Sequence, residues 1–171
     1  GLITPWNFPV AIPIWKAAPA LAGGNTVIIK ASEYATATAT KLIEILSKAL
    51  PANVLSLVTG AGSQGAKLIS LSDVVSFTGS AATGQKVIEL ASHNKTPVQA
   101  EMGGSNPAIV FEDADLDQVV SNLMIGAFSY SGQKCTATRK VITVGDKQLS
   151  EELARKLGNA MDALLIGDPF D

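Results

Sequence analysis

Four short runs of β-branched and apolar residues recur along the first hundred positions: Thr26–Lys30, Val54–Val58, Val74–Phe77 and Val98–Glu101. Each is four or five residues long, too short for a helix and too continuous for a half-exposed strand. Buried strands of a parallel sheet read this way. Between them lie stretches with helical spacing. Ile14–Leu21 closes on Gly23-Gly24-Asn25, and Leu42, Ile45, Leu46, Ala49 and Leu50 are followed by Pro51. Gly65–Leu71 makes a short helix, and Gly79-Ser80 opens another through Val87, Ile88 and Ala91. Leu2-Ile3 supplies a further strand ahead of the proline-bounded turn Thr4–Pro9. Strand and helix in alternation predict an α/β fold, a Rossmann-like parallel sheet with helices on both faces.

After Pro97 the pattern changes. Val98–Glu101 leads into the glycine-rich crossing Met102–Pro107, and Ala108–Phe111 forms another strand. Asp113 or Asp115 can cap a helix whose apolar face is Val119, Val120, Leu123, Ala127 and Phe128. Lys140–Val144 is a strand, and Ser150-Glu151-Glu152 opens the last helix. The expected division is residues 1–101 as one α/β unit and residues 102–171 as a second α/β unit, left unfinished, with the boundary near Glu101–Gly104. The chain starts at Gly1 inside an apolar segment, so it is expected to be a piece of a longer protein.

A net charge of −2 gives no electrostatic footprint for nucleic acid or an anionic membrane surface. No run of about 18 apolar residues suggests a membrane span. A single cysteine, Cys135, excludes an internal disulfide and a multi-cysteine zinc site, and a free thiol fits the reducing cytoplasm. Two readings of Cys135 remain, a small buried hydrophobe or a nucleophile. Its neighbours, Gly132, Gln133, Lys134, Thr136 and Thr138, make a polar connection, and a nearby lysine favours the thiolate. The only histidine, His93, is on the polar end of a helix, which leaves Cys–His and Ser–His–Asp catalysis without an imidazole base. No metal-ligand cluster is visible. Without histidine the base falls to a carboxylate, and Glu101, at a strand end before glycines, is the candidate. Asn7 can serve as a neutral oxyanion donor.

Gly60-Ala61-Gly62-Ser63-Gln64-Gly65 matches G-x-G-x-x-G, but the next strand ends in Phe77-Thr78-Gly79-Ser80 without the acidic residue that a dinucleotide fingerprint requires. It reads better as a glycine-rich turn near a ligand. Phe77–Ser80 is a better anion site, where Ser80 starts a helix, although a plain capped turn has the same spacing. Lys30 and Glu33, beyond the end of their strand, suit a ribose diol, or else a solvated loop.

Taken together these motifs resemble the aldehyde dehydrogenase superfamily. The resemblance runs from Ile3–Pro9 through Ala18–Thr26 to Gly167–Asp171. Glu101-Met102-Gly103-Gly104 and Gly132-Gln133-Lys134-Cys135, 34 positions apart between Glu101 and Cys135, match its two active-site signatures. The resemblance implies an NAD-dependent oxidoreductase, with NADP possible, that turns an aldehyde into its acid. It also makes residues 1–101 the closing portion of the NAD(P)-binding domain and residues 102–171 the first, incomplete part of the catalytic domain. It makes Cys135 the nucleophile, Asn7 and the Cys135 N–H the oxyanion donors, and Glu101 the base that activates hydrolytic water. Cofactor contacts carry over to Ile3, Thr4, Pro5, Trp6, Asn7, Lys30, Ser32, Glu33, Gly62, Gly65, Phe77, Gly79, Ser80 and Met102, with no metal.

The stretch Gly60–Phe77 is shorter than the family's usual version, and the later Glu-x-Phe-Gly-Pro motif is absent from this sequence. Glu101–Pro107 and Gly132–Thr138 look most like the 2,5-dioxovalerate (2-oxoglutarate semialdehyde) dehydrogenases. Succinate-semialdehyde and non-phosphorylating glyceraldehyde-3-phosphate dehydrogenases are the alternatives. A non-catalytic nucleotide-binding homologue is opposed by the joint presence of Asn7, Glu101 and Cys135. An acyl-CoA-forming relative is opposed by Glu101. The whole protein is expected to be a homodimer or homotetramer.

Overall fold

The computed structural model describes residues 1–168 and Phe170; Pro169 and Asp171 of the terminal Gly167–Asp171 motif lie outside the described residues. The chain divides into two units, Gly1–Gly103 and Gly104–Asp171.

The first unit is built on five strands: β1 (Leu2–Thr4), β2 (Val27–Ala31), β3 (Leu55–Val58), β4 (Val75–Thr78) and β5 (Val98–Glu101). They pair in the order β3-β2-β1-β4-β5, all parallel. The order reverses beside β1: the chain builds outward through β2 and β3, then returns to place β4 on the other side of β1. Alternation along β1 sends adjacent residues to opposite faces. Leu2 packs with Val27, Ile29 and Leu55 against α1 (Ala11–Ala22) and α2 (Thr36–Leu46). Ile3 packs with Val75 and Phe77 against α3 (Gly62–Leu71) and α4 (Ala81–His93). The sheet therefore has helices on both faces, as the alternating pattern predicts. Burying side chains such as Ile29 and Phe77 contributes about 1.5–3 kcal/mol each relative to leaving them exposed.

In the second unit β6 (Asn106–Phe111) pairs in parallel with β7 (Thr138–Val144). Helices α5 (Leu116–Phe128) and α6 (Lys147–Asp162) close one face of this pair around Val110, Leu123 and Leu153. Ile109 and Phe111 on β6 and Ile142 and Val144 on β7 are exposed.

Several boundaries differ from the sequence expectation, each for a local reason. α1 begins at Ala11, not Ile14, because Pro13 lies in the first turn, where a missing N–H breaks no helical bond. α2 begins at Thr36; its first turns, Thr36–Thr40, carry small residues with no apolar period, and only Ala39 is buried. The helix tightens to a 3-10 turn at Ser47–Ala49 before Pro51. α3 starts at Gly62, not Gly65. α6 starts at Lys147, not Ser150, because Asp146 caps it by accepting from the Leu149 N–H at 2.9 Å. Between the two possible caps of α5, Asp115 is the one used, accepting from Asp117 and Gln118 N–H.

Candidate active site

In an open parallel sheet, ligands bind beyond the carboxyl ends of the strands where the strand order reverses. Here that point is the boundary between β1 and β4. Cross-links hold the strand ends in pairs: Ser32 N–H donates to the Thr4 carbonyl at 3.0 Å, and Gly79 N–H to the Glu101 carbonyl at 3.1 Å. Ile3 and Thr4 are buried in β1, while Pro5, exposed Trp6 and half-buried Asn7 follow in the bend beyond it. The Thr4 hydroxyl Oγ1 is buried with no hydrogen-bond partner among the described residues. A buried hydroxyl left unbonded is costly, and this one lies at the reversal point of the sheet.

At the end of β2, buried Lys30 pairs through Nζ with Glu33 Oε2 at 3.2 Å, and Ser32 Oγ accepts from the Tyr34 N–H. The Glu33 carboxyl is held below its ordinary pKa by a hydrogen bond from its own backbone N–H, and then by the Lys30 ammonium. Ile3, Gly62, Gly65, Ile69, Val87 and Leu90 line a cleft of about 310 Å³, with Lys30, Thr83 and Lys86 also on its wall. An apolar slot with two ammonium groups suits a flat ring attached to an anion. No side chain occupies the space where a Cβ at Gly62 would project. Ser80 caps α4, its Oγ accepting from Thr83 N–H at 3.2 Å, so the capped turn and the helix N-terminus are one feature. Phe77 is in the core; a Cβ at Gly79 would lie 2.5 Å from its ring and one at Gly84 would lie 2.5 Å from Met102 Sδ. Phe77 therefore supports the Gly79 turn from beneath.

Glu101 ends β5 and is exposed. Its Oε1 accepts from Gln99 Nε2 at 2.8 Å. Gln99 Oε1 accepts from Lys16 Nζ at 3.1 Å and also from the Ser76 hydroxyl. Lys16 further donates to Ser76 Oγ at 2.7 Å and to the Phe77 carbonyl at 3.3 Å. An ammonium can only donate, so Lys16 fixes the Gln99 amide with its NH2 toward Glu101. Burial pushes the Lys16 pKa down, and the Glu101 charge partly opposes it. Lys16, Ser76 and Gln99 carry no local motif, and only the parallel alignment of β4 and β5 under α1 reveals them.

Cys135 is exposed in the second unit. The segment before it runs left-handed: Tyr130, Ser131 and Gly132 have φ of 56°, 54° and 67°. Left-handed backbone at a non-glycine residue costs about 1–2 kcal/mol. A Cβ at Gly132 would also sit 2.9 Å from the Ala127 carbonyl, so that position admits only glycine. Arg139 Nη2 donates to the Gly132 carbonyl at 2.8 Å. Lys134 Nζ donates to Ser129 Oγ at 2.6 Å and sits 5.7 Å over the Tyr130 ring. His93 is in the last turn of α4 and exposed. Among the described residues no group of acidic, histidine or cysteine side chains could hold a metal ion. No helix of the described residues is long and apolar enough to cross a membrane.

Comparison with known proteins gives the family. The chloroplastic betaine aldehyde dehydrogenase of Beta vulgaris is 44% identical over 175 residues, covering 100% of this chain and 35% of the relative. The alpha-ketoglutaric semialdehyde dehydrogenase of Bacillus subtilis (strain 168) is 45% identical over 172 residues, covering 98% and 35%. The crystal structure of an NAD-dependent aldehyde dehydrogenase from Sinorhizobium meliloti superposes with a TM-score of 0.92 at 34% identity, over 99% of this chain and 34% of that one. The chain thus spans about a third of the length of the curated relatives it matches. The sequence profile of the aldehyde dehydrogenase family matches residues 1–171, and the chain belongs to that family.

Proposed function

We propose that the whole protein oxidises an aldehyde to its carboxylic acid, with NAD as hydride acceptor and Cys135 as nucleophile. The observation that carries this is the exposure of the chain's only thiol at the end of a strained, left-handed turn, where packing gives it no role. The Cys135 thiolate adds to the aldehyde carbon, giving a thiohemiacetal. The Asn7 side-chain amide and the Cys135 N–H stabilise its oxyanion without themselves titrating. NAD, when bound, would supply the hydride acceptor, and loss of hydride from the thiohemiacetal carbon would leave a thioester on Cys135. Glu101 removes a proton from water as it attacks the thioester, releasing the acid and the thiolate.

For the cofactor, Glu33 and Lys30 bind the adenosine ribose hydroxyls, and the slot lined by Gly62, Gly65, Val87 and Leu90 takes the adenine. The unpartnered Thr4 hydroxyl, the Gly79 turn and the Ser80 cap support this placement, with Ile3, Pro5, Trp6, Ser32 and Met102 bordering the same edge. Phe77 acts from below. The division at residue 101 into cofactor-binding and catalytic parts belongs to this reading, as do the cytoplasmic location and the homodimeric or homotetrameric whole protein.

For substrate we favour a semialdehyde such as 2,5-dioxovalerate. This rests on Glu101–Pro107 and Gly132–Thr138 and on likeness to the Bacillus subtilis relative. Betaine aldehyde is the competitor raised by the Beta vulgaris relative. The test is kcat/KM of the full-length protein on both, beside C135S. We expect the semialdehyde to win by at least about tenfold. C135S should lose NADH formation, since serine is a poor nucleophile without a base. Turnover by C135S would overturn the assignment of the nucleophile.

A further inference from the structure

Asn106 begins β6 where the ladder with β7 breaks. The register steps from Asn106↔Thr138 to Pro107↔Lys140, leaving Arg139 as the extra residue of a bulge. Pro107 has no N–H to donate. The Asn106 side chain takes over where the backbone ladder stops. Nδ2 donates to the Cys135 carbonyl at 2.6 Å and to the Ala137 carbonyl at 3.1 Å. A primary amide carries two hydrogens on one nitrogen, so it can bridge two carbonyls that lie two residues apart. A carboxylate of the same shape cannot, and a hydroxyl has one hydrogen to give. The turn is also closed internally, Ala137 N–H donating to the Lys134 carbonyl at 3.2 Å, and Ala137 itself is fully buried.

We propose that Asn106 is a positioning residue for the nucleophile: by holding the Cys135 carbonyl it fixes the backbone rotation of Cys135 and thereby the direction of its thiol. The proposal deepens the reading above and rests on Cys135 being the nucleophile. Misplacing a reacting group by about 1 Å can cost about 100-fold in rate. Nothing in the sequence pattern marks this role, because the two contacts are formed across 29 and 31 positions of chain.

The test is single-turnover NADH formation by the full-length protein with N106A and N106D, at temperatures where urea unfolding shows each variant fully folded. N106A should slow the burst by about 10–100-fold while the KM for NAD is unchanged. N106D should be slower still, because an isosteric carboxylate faces two carbonyl oxygens without a hydrogen. N106S, which keeps one donor, should fall between wild type and N106A, and it carries the test if N106D does not fold. Wild-type burst rates in fully folded N106A and N106S would overturn the proposal. C135S run in parallel separates the two readings. If it keeps the burst, the nucleophile is misassigned; if it is silent while the Asn106 variants are normal, only the positioning role fails.

Discussion

Lys30 and Glu33 form an ion pair 3.2 Å long in which the lysine side chain is 7% exposed and the carboxylate 54%. The buried partner is fixed and the exposed one is free to turn toward a ligand, an arrangement suited to gripping a diol. The same carboxylate repels a phosphate at that spot.

On the proposed reading, cofactor choice depends on Glu33. In the full-length protein, E33Q should raise kcat/KM for NADP relative to NAD by about tenfold, or about 1.4 kcal/mol. A clear wild-type preference for NADP would reverse the assignment. The lowered Glu33 pKa also sets a pH window. The pair's contribution is complete above the ordinary carboxyl pKa of about 4.3 and is lost as pH falls through the lowered value. NAD affinity, measured by fluorescence quenching, should thus show no pH dependence from Glu33 between about pH 8 and about pH 5, where the carboxylate stays ionised.

If Glu101 acts as proposed, E101Q should separate acylation from hydrolysis. It removes the base but keeps the shape and a hydrogen-bonding amide. Mixing the full-length variant with aldehyde and NAD should give about one NADH per site, then a stall, with steady turnover down by about 100-fold or more. Intact mass should find the acyl group on Cys135. Absence of both burst and adduct would mean that Glu101 acts earlier, on the thiol.

On the proposed reading, Gly65 sets stability against cofactor binding. It lies inside α3, and a Cβ there would make an ordinary contact of 3.8 Å with Ile3 Cδ1. G65A should stabilise the full-length protein by about 0.5–1 kcal/mol in urea unfolding, through helix propensity. The same methyl group narrows the cleft between α3 and α4, so the KM for NAD should rise several-fold. An unchanged KM would move the adenine elsewhere.

The strands were legible because a buried parallel strand is a short apolar run, and each of the seven falls within one or two residues of its sequence signature. The placement of Glu101 at the end of β5 and of Glu33 just beyond β2 was legible too, since each closes a short apolar run. Helix starts were harder. A first turn has no helical N–H bonds to lose, so Pro13, Gly62 and the Thr36–Thr40 run give no apolar period to read. The residues that brace the site were not legible at all. Lys16, Ser76 and Gln99 meet across 23 to 83 positions of chain, and such contacts leave no local trace.

The left-handed run Tyr130–Gly132 has a consequence for chemistry outside the ribosomal alphabet. Backbone torsions that strain an L residue are the resting torsions of its mirror image. A chain assembled by ligation with D-serine at 131, or D-alanine at 130, should keep the turn and relieve the local penalty. The approach to Cys135 is thus a place where the molecule is built to the opposite hand.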